Sequence, residues 1–344
     1  MLFLLTLLSL KELPIMCSDV KKYLVTGGSG FLGASLVKAL VDRGNWVRVM
    51  DNNFRGSTAK LSGYMQKIEF VEADIRDMAS VDKAMEGIDI VCHLAFINGT
   101  RYFYEQPQLV LSVGVAGTLN VLEACRKHSI ETLIFASSSE VYQTPPYVPT
   151  DEKVPMSIPD PTNPRYSYAG AKLIGEILCF NYGRGNYRTV AFRPHNIYGP
   201  AMGFEHVIPE LIGKLRTAIN KTPSGKVDLS IQGDGRETRA FCYVDDFTDG
   251  LLRVIDNGLD QNIYHIGMCE ETSIVDLIHM IGKQIGREIN IIPGELRPGG
   301  TPRRCPDITK ASQLGYAPHI TLEEGLTKTV PWYLQAFAER ENQA

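Results

Sequence analysis

Along the first two-thirds of the chain, short runs of β-branched and apolar residues alternate with longer amphipathic stretches. Lys22 to Thr26, Trp46 to Met50, Ile68 to Val71, Ile90 to Leu94, Thr132 to Ala136 and Thr189 to Phe192 have the composition and length of buried strands. Strands separated by helix-length segments pair in parallel, because the chain must cross back over one face of the sheet before it can run the same way again. The pattern predicts an α/β fold: a Rossmann-type doubly wound parallel sheet covered by helices on both faces. After Arg193 the rhythm breaks, Pro and Gly become frequent, and short strands such as Leu229 to Gln232 and Ile289 to Ile292 sit among loops. A smaller, interleaved C-terminal lobe is expected there. The predicted division assigns 20–192 and 241–267 to the sheet domain and 193–240 and 268–330 to the lobe. An N-terminal extension, 1–19, and a C-terminal tail, 331–344, flank them.

Within this frame, KYLVTGGSGFLGASLVKALVDRG reads as a strand, a glycine turn and a helix whose apolar positions Leu32, Leu36, Val37, Leu40 and Val41 share one face. Gly27 and Gly30 permit a tight turn and close approach of a pyrophosphate to the helix N-terminus, and Gly33 lets helix and strand pack closely. Gly27, Gly30, Phe31, Leu32 and Gly33 are therefore expected to line a dinucleotide. The strand starting at Trp46 ends at Asp51, where a carboxylate accepts hydrogen bonds from the ribose hydroxyls and repels a 2′-phosphate. That favours NAD over NADP. Asp74 and Ile75, ending the next strand, stand where an adenine can be contacted, although a strand-end acid is as often simply solvated.

The stretch ASSSEVYQ puts three consecutive hydroxyls, Ser137 to Ser139, and the carboxylate of Glu140 directly after the apolar run Thr132 to Phe135. In a doubly wound sheet the C-terminal strand ends form the ligand crevice. These polar groups are therefore expected to face a ligand rather than the core.

Composition narrows the partners. At 344 residues and 44% apolar content the chain can bury a sizeable core, and a net charge of −4 gives no basic field. Nucleic acid is not an expected partner, and a small anionic ligand must be met by local arginines. Seven cysteines without a C-x-x-C pair, several of them inside apolar runs (Cys92, Cys125, Cys179), suit a reducing compartment, so the expected location is cytoplasmic and no metal site is assigned. The opening MLFLLTLLSL is apolar but lacks a basic flank and a small-residue cleavage site, and it is shorter than the about 20 residues a spanning helix needs. No stable membrane insertion is expected.

The glycine turn, HLAF at 93–96, SSSEVY at 137–142, YSYAGAK at 166–172, RPHNIYGP at 193–200 and GDGRETRAFCYVDD at 233–246 occur together in this order. In these motifs the chain resembles the extended short-chain dehydrogenase/reductases, specifically the nucleotide-sugar epimerases, dehydratases and decarboxylases, from about Lys21 to Leu326. The resemblance implies NAD as cofactor, a nucleotide diphosphate sugar as substrate and a homodimer.

Residue by residue, Tyr168 and Lys172 match the family's Tyr-x-x-x-Lys pair. One helical turn apart, they share a face, so the ammonium can stabilise the phenolate. The resemblance makes Ser138 the hydroxyl that binds the reacting sugar hydroxyl and shares its proton with Tyr168, and it adds Leu94, Tyr168 and Lys172 to the cofactor contacts. Glu140 stands where dehydratases and decarboxylases carry a functional glutamate; it acts at C5 of a 4-keto sugar or merely orients a hydroxyl. Ser139, counted among the substrate contacts, replaces the aspartate that dehydratases usually place before that glutamate. Gly114 stands where relatives often carry asparagine, so either a water replaces the amide or the site differs. Asn196, Arg239 and Arg297 match contacts to the substrate diphosphate or nucleotide. Arg236, Arg303 and Arg304 share that work or are solvated, and His206 and Trp332 are most simply structural. The expected activity is 4-epimerisation through a transient 4-keto sugar. Dehydration or decarboxylation using Glu140 is the alternative, and a non-catalytic NAD-binding scaffold is the reading from another class.

Overall fold

The computed structural model describes residues 20–295 and 301–343. The apolar opening stretch and Arg297 lie outside the described residues. In chain order the elements of the first half are β1 (Lys22–Thr26), α1 (Phe31–Asp42), β2 (Trp46–Asp51), β3 (Ile68–Glu72), α2 (Met78–Met85), β4 (Ile90–His93), α3 (Thr100–Glu105), α4 (Pro107–Leu111), α5 (Thr118–Lys127), β5 (Thr132–Ala136) and α6 (Ser167–Gly183). There follow β6 (Arg188–Pro194), β7 (Ile197–Tyr198), α7 (Val207–Lys221), β8 (Val227–Ser230), β9 (Thr238–Ala240), β10 (Cys242–Tyr243), α8 (Val244–Asn257) and β11 (Asn262–Ile266). The chain finishes with β12 (Glu271–Ser273), α9 (Ile274–Ile285), β13 (Ile289–Ile292), β14 (Arg303–Arg304), α10 (Thr309–Ser312) and α11 (Leu322–Gln343).

Seven strands form the central sheet in the order β11-β6-β5-β4-β1-β2-β3, and every neighbouring pair is parallel. The chain winds outward from β1 to β3, then returns to β4 on the other side of β1. The crevice between β1 and β4 is thus the topological switch point, where such sheets bind ligands. Both faces are covered, which is why β5 is buried at every position and reads as an unbroken apolar run. On one face α1 and α8 set Leu36, Val37, Phe247 and Leu251 against Val25, Val49 and Phe192. On the other, α2, α5 and α6 bring Val81, Met85, Leu122, Cys125 and Cys179 against Leu24, Leu133 and Phe135. Each fully buried aliphatic side chain of this kind contributes about 1.5–3 kcal/mol relative to exposure.

β11 completes the central sheet, pairing Asn262 with Val190. The strand expected at Leu229 to Gln232 starts and ends two residues earlier. β8 is Val227–Ser230, with Val227 and Leu229 inward and Asp228 and Ser230 outward, an alternation that a search for continuous apolar residues passes over. The expected tail is not one. Residues 331–343 continue α11, and its Leu326, Val330 and Tyr333 are buried with Leu215 of α7 and Ile281 of α9 in the lobe's own core. The run Pro107–Lys127 is long and apolar enough to cross a membrane by length and composition. It packs against the sheet through Val110, Val113, Val121, Leu122 and Cys125.

Candidate active site

A cleft with a cavity volume of about 430 Å³ runs along the C-terminal strand ends and is walled on its far side by the lobe. At its floor, Gly27 takes φ +73°, and a Cβ there would lie 2.6 Å from Ala95 N. A Cβ on Gly33 would lie 2.1 Å from Gly27 O, so strand and helix approach as closely as bare backbone allows. The helix beginning at Phe31 has no intrahelical partners for its first N–H groups, and Phe31, Leu32 and Gly33 border the cleft with Gly27 and Gly30. These donors and the positive end of the helix suit a pyrophosphate. Asp51, buried at the end of β2, accepts from Ser29 N at 3.0 Å and Asn53 N at 2.9 Å, which fixes its carboxylate at the cleft edge. The residues fit a dinucleotide with an unmodified adenosine ribose.

Asp74, Ile75 and Leu94 border the same half of the cleft. Asp74 is engaged by Arg76 at 2.7 Å and Asn52 at 3.0 Å, and the Arg76 hydrogen bond holds its carboxyl below the usual range.

Ser138, Tyr168 and Lys172 meet at the inner end. After β5 the chain enters a tight turn over Ser139–Tyr142, whose start is capped by Ser138 Oγ accepting from Glu140 N at 3.2 Å. The Tyr168 phenol is buried, which pushes it up to about 12 despite a hydrogen bond from Ser138. Its ring lies between Phe103, stacked at 5.0 Å, and Phe96, edge-on at 5.2 Å. Lys172 donates to Ala136 O at 2.5 Å, and burial draws its ammonium down to about 7. A buried network backs this turn. Glu176 takes two hydrogen bonds from Arg193, at 2.6 and 2.8 Å, and one from Ser137, and Arg193 also donates to the Tyr142 hydroxyl. Tyr142 meets His265 Nε2 at 2.6 Å, anchoring the serine turn to β11. Arg193 and Glu176 carried no assigned role in the sequence, yet they hold the serine turn in place.

The lobe contributes an arginine that the sequence left undecided. Parallel pairing of β14 with β9 sets Arg304 beside Arg239, and Arg304 Nη1 donates to Glu140 Oε1 at 2.5 Å. Burial acts to raise the Glu140 carboxyl, but Arg304, with Arg165 and Arg239, outweighs it and holds the group below its ordinary value. Burial, then Arg304, lowers Arg239 to about 10. Of the other arginines, Arg303 pairs with Glu271 at 2.5 Å, and Arg236 is 88% exposed. Asn196 borders the cleft at φ 44° and donates to Ala240 O at 3.2 Å, while Ser139 is buried at the cleft wall. Arg239 is not among the cleft-bordering side chains. His206, expected to be structural, borders the cleft from the lobe side, and Trp332 packs edge-on against Tyr333.

At Gly114 the site differs from the expected one. A Cβ there would lie 2.4 Å from Phe96 Cζ, so an aromatic ring, not a water, occupies the place beside Lys172.

The fold and this constellation define an NAD-dependent enzyme of the extended short-chain dehydrogenase/reductase type. Residues 23–267 match the model of the NAD dependent epimerase/dehydratase family, and the chain belongs to that family. A UDP-N-acetyl-alpha-D-glucosaminuronate decarboxylase from Bacillus cytotoxicus is 31% identical, with 91% of this chain and 98% of that protein covered. A putative UDP-glucose 4-epimerase from Methanocaldococcus jannaschii is 34% identical, with 90% and 97% covered. Among solved structures, a UDP-glucuronic acid 4-epimerase from Bacillus cereus, in complex with UDP-glucuronic acid and NAD, is similar at 29% identity and TM-score 0.80, covering 92% of this chain and 99% of that one.

Proposed function

We propose that this protein is a nucleotide-sugar 4-epimerase, acting on a UDP-sugar like those named for its M. jannaschii and B. cereus relatives. Bound NAD supplies the two-electron oxidation of C4 and the matching reduction. Tyr168 takes the proton of the C4 hydroxyl and later returns it, Ser138 orients that hydroxyl, and Lys172 provides the positive charge that makes a buried phenol usable as a base. Asn196, at the cleft edge, holds the diphosphate end, and Arg239 stands behind it beside Arg304.

The observation that carries C4 epimerisation over elimination is the Glu140–Arg304 ion pair at 2.5 Å, with Ser139 beside it. A carboxylate held ionised cannot protonate a leaving hydroxyl, and a serine is no substitute as an acid. Incubation with NAD and a panel of UDP-, GDP-, CDP- and dTDP-sugars, uronates included, tests the reading. A product of unchanged mass with C4 inverted by NMR supports it. Loss of water or carbon dioxide overturns it, and NAD binding without turnover on any sugar indicates a scaffold.

Decarboxylation is the second reading, and one observation favours it. Arg304 and Arg239 together put more positive charge near the cleft than Glu140 neutralises, which complements a carboxylate on the sugar. Once C4 is a ketone, a C6 carboxylate is β to it. Carbon dioxide then leaves with its bonding electrons passing to the ketone, and C5 is reprotonated.

A further inference from the structure

The base Tyr168 depends on the charge of Lys172, and burial works against that charge. Lys172 is 3% exposed. Its ammonium makes one strong hydrogen bond, to the Ala136 carbonyl of β5. The ionisable groups around it offer little compensation. On its own helix stand Tyr168, Glu176 and Cys179; Glu176 directs its oxygens to Arg193 and Ser137, and Cys179 is held in its neutral thiol form by burial. From β4, His93 faces it, kept neutral by burial.

What does meet the ammonium is the face of Phe96, with Nζ 3.7 Å from the ring centroid; the Phe135 ring stands at 5.2 Å. The Phe96 ring reaches this position because residue 114 has no side chain. A Cβ on Gly114 would approach Phe96 Cζ to 2.4 Å and Ala171 Cβ to 2.8 Å. Both partners are pinned from behind. The Thr26 hydroxyl lies 2.7 Å from His93 Nδ1, His93 Nε2 lies 3.1 Å from Thr118 Oγ1, and Thr118 donates to Gly114 O at 2.7 Å. Ala95 N donates to the same Thr26 hydroxyl at 3.2 Å, fixing the backbone just before Phe96.

We propose that Phe96, seated in the space left by Gly114, is a positioning residue that keeps the Lys172 ammonium charged and aligned beside the Tyr168 phenol. The proposal rests on the reading of Tyr168 as the base. A desolvated cation on an aromatic face shifts a proton equilibrium by on the order of tenfold, about one pH unit. The ring can occupy this place only while residue 114 has no side chain, so Phe96 and Gly114 act together.

The test titrates Lys172 directly in the NAD-bound protein, by competitive labelling with trace acetic anhydride across a pH series and mass spectrometry of the Lys172 peptide. Sugar is not required, so the outcome is independent of the epimerase assignment. Phe96→Leu, which keeps bulk but removes the ring, is expected to lower the Lys172 titration midpoint by about one unit. Gly114→Ala, which displaces the ring while keeping Phe96, is expected to do the same. An unchanged midpoint in Phe96→Leu that binds NAD normally overturns the proposal. Should that variant fail to fold, an unchanged midpoint in Gly114→Ala overturns it equally.

Discussion

Glu140→Gln keeps the shape of the side chain and removes its charge, which makes it the sharpest probe of this site. The parent carboxylate receives Arg304 at 2.5 Å, and the two side chains are 28% and 15% exposed. Deleting one partner of a fully buried pair costs about 3–5 kcal/mol, whereas an exposed pair is worth about 0–1. A pair of intermediate burial therefore predicts a loss of about 1–3 kcal/mol, read by chemical denaturation. The pH dependence has a definite sign. Because the folded Glu140 carboxyl lies below its ordinary value, its contribution is complete above the unfolded carboxylate range and disappears as pH falls through the folded value. Parent and variant should therefore converge in stability on acidification.

Catalysis gives the second readout. Inversion at C4 moves no proton at C5, so the variant should keep turnover within about tenfold, and product formed in deuterium oxide should carry no carbon-bound deuterium. A general base at C5 would instead be worth about 10²- to 10⁴-fold. Solvent deuterium at C5 in the parent product, with a dead Glu140→Gln protein, refutes the epimerase assignment. Equal stability of parent and variant at neutral pH refutes the ion-pair argument.

Three further outcomes are expected. Tyr168→Phe should abolish turnover yet still bind NAD, since the ring stays packed between Phe96 and Phe103; normal turnover removes Tyr168 from the mechanism. Asp51→Asn should weaken NAD binding and narrow its advantage over NADP in calorimetric titration, and tighter NADP than NAD binding by the parent contradicts the assigned role of Asp51. Gly33→Ala should lose NAD affinity, because its Cβ would lie 2.1 Å from Gly27 O and force helix and strand apart; wild-type affinity would contradict the close-approach argument.

The sequence by itself determined six of the seven strands of the sheet, the glycine turn at one end of the cleft and the grouping of Tyr168 with Lys172. Each is carried by a short-range rule. Gly33 is needed because a backbone six residues earlier lies against it, Tyr168 and Lys172 meet because a helix turns every 3.6 residues, and β5 reads as buried because both of its faces are covered.

Tertiary structure decided the rest. Arg304 could not be told from its neighbours Arg303 and Arg236 by residue type. Its partner Glu140 lies 164 positions away and is reached only because β14 pairs with β9 and aims one arginine of the doublet inward. The helix through Pro331 was hidden by a residue that lacks an N–H and normally ends helices, and burial of Tyr333 in the lobe core outweighs that penalty. At Gly114 the sequence disclosed a missing side chain but not what replaces it. The ring of Phe96 arrives from the end of β4, across a gap whose width is set by how α6 and the turn at Gly114 pack. Local pattern specifies elements and their chemistry, whereas which charges and rings end up touching depends on sheet register and on packing between elements far apart in the chain.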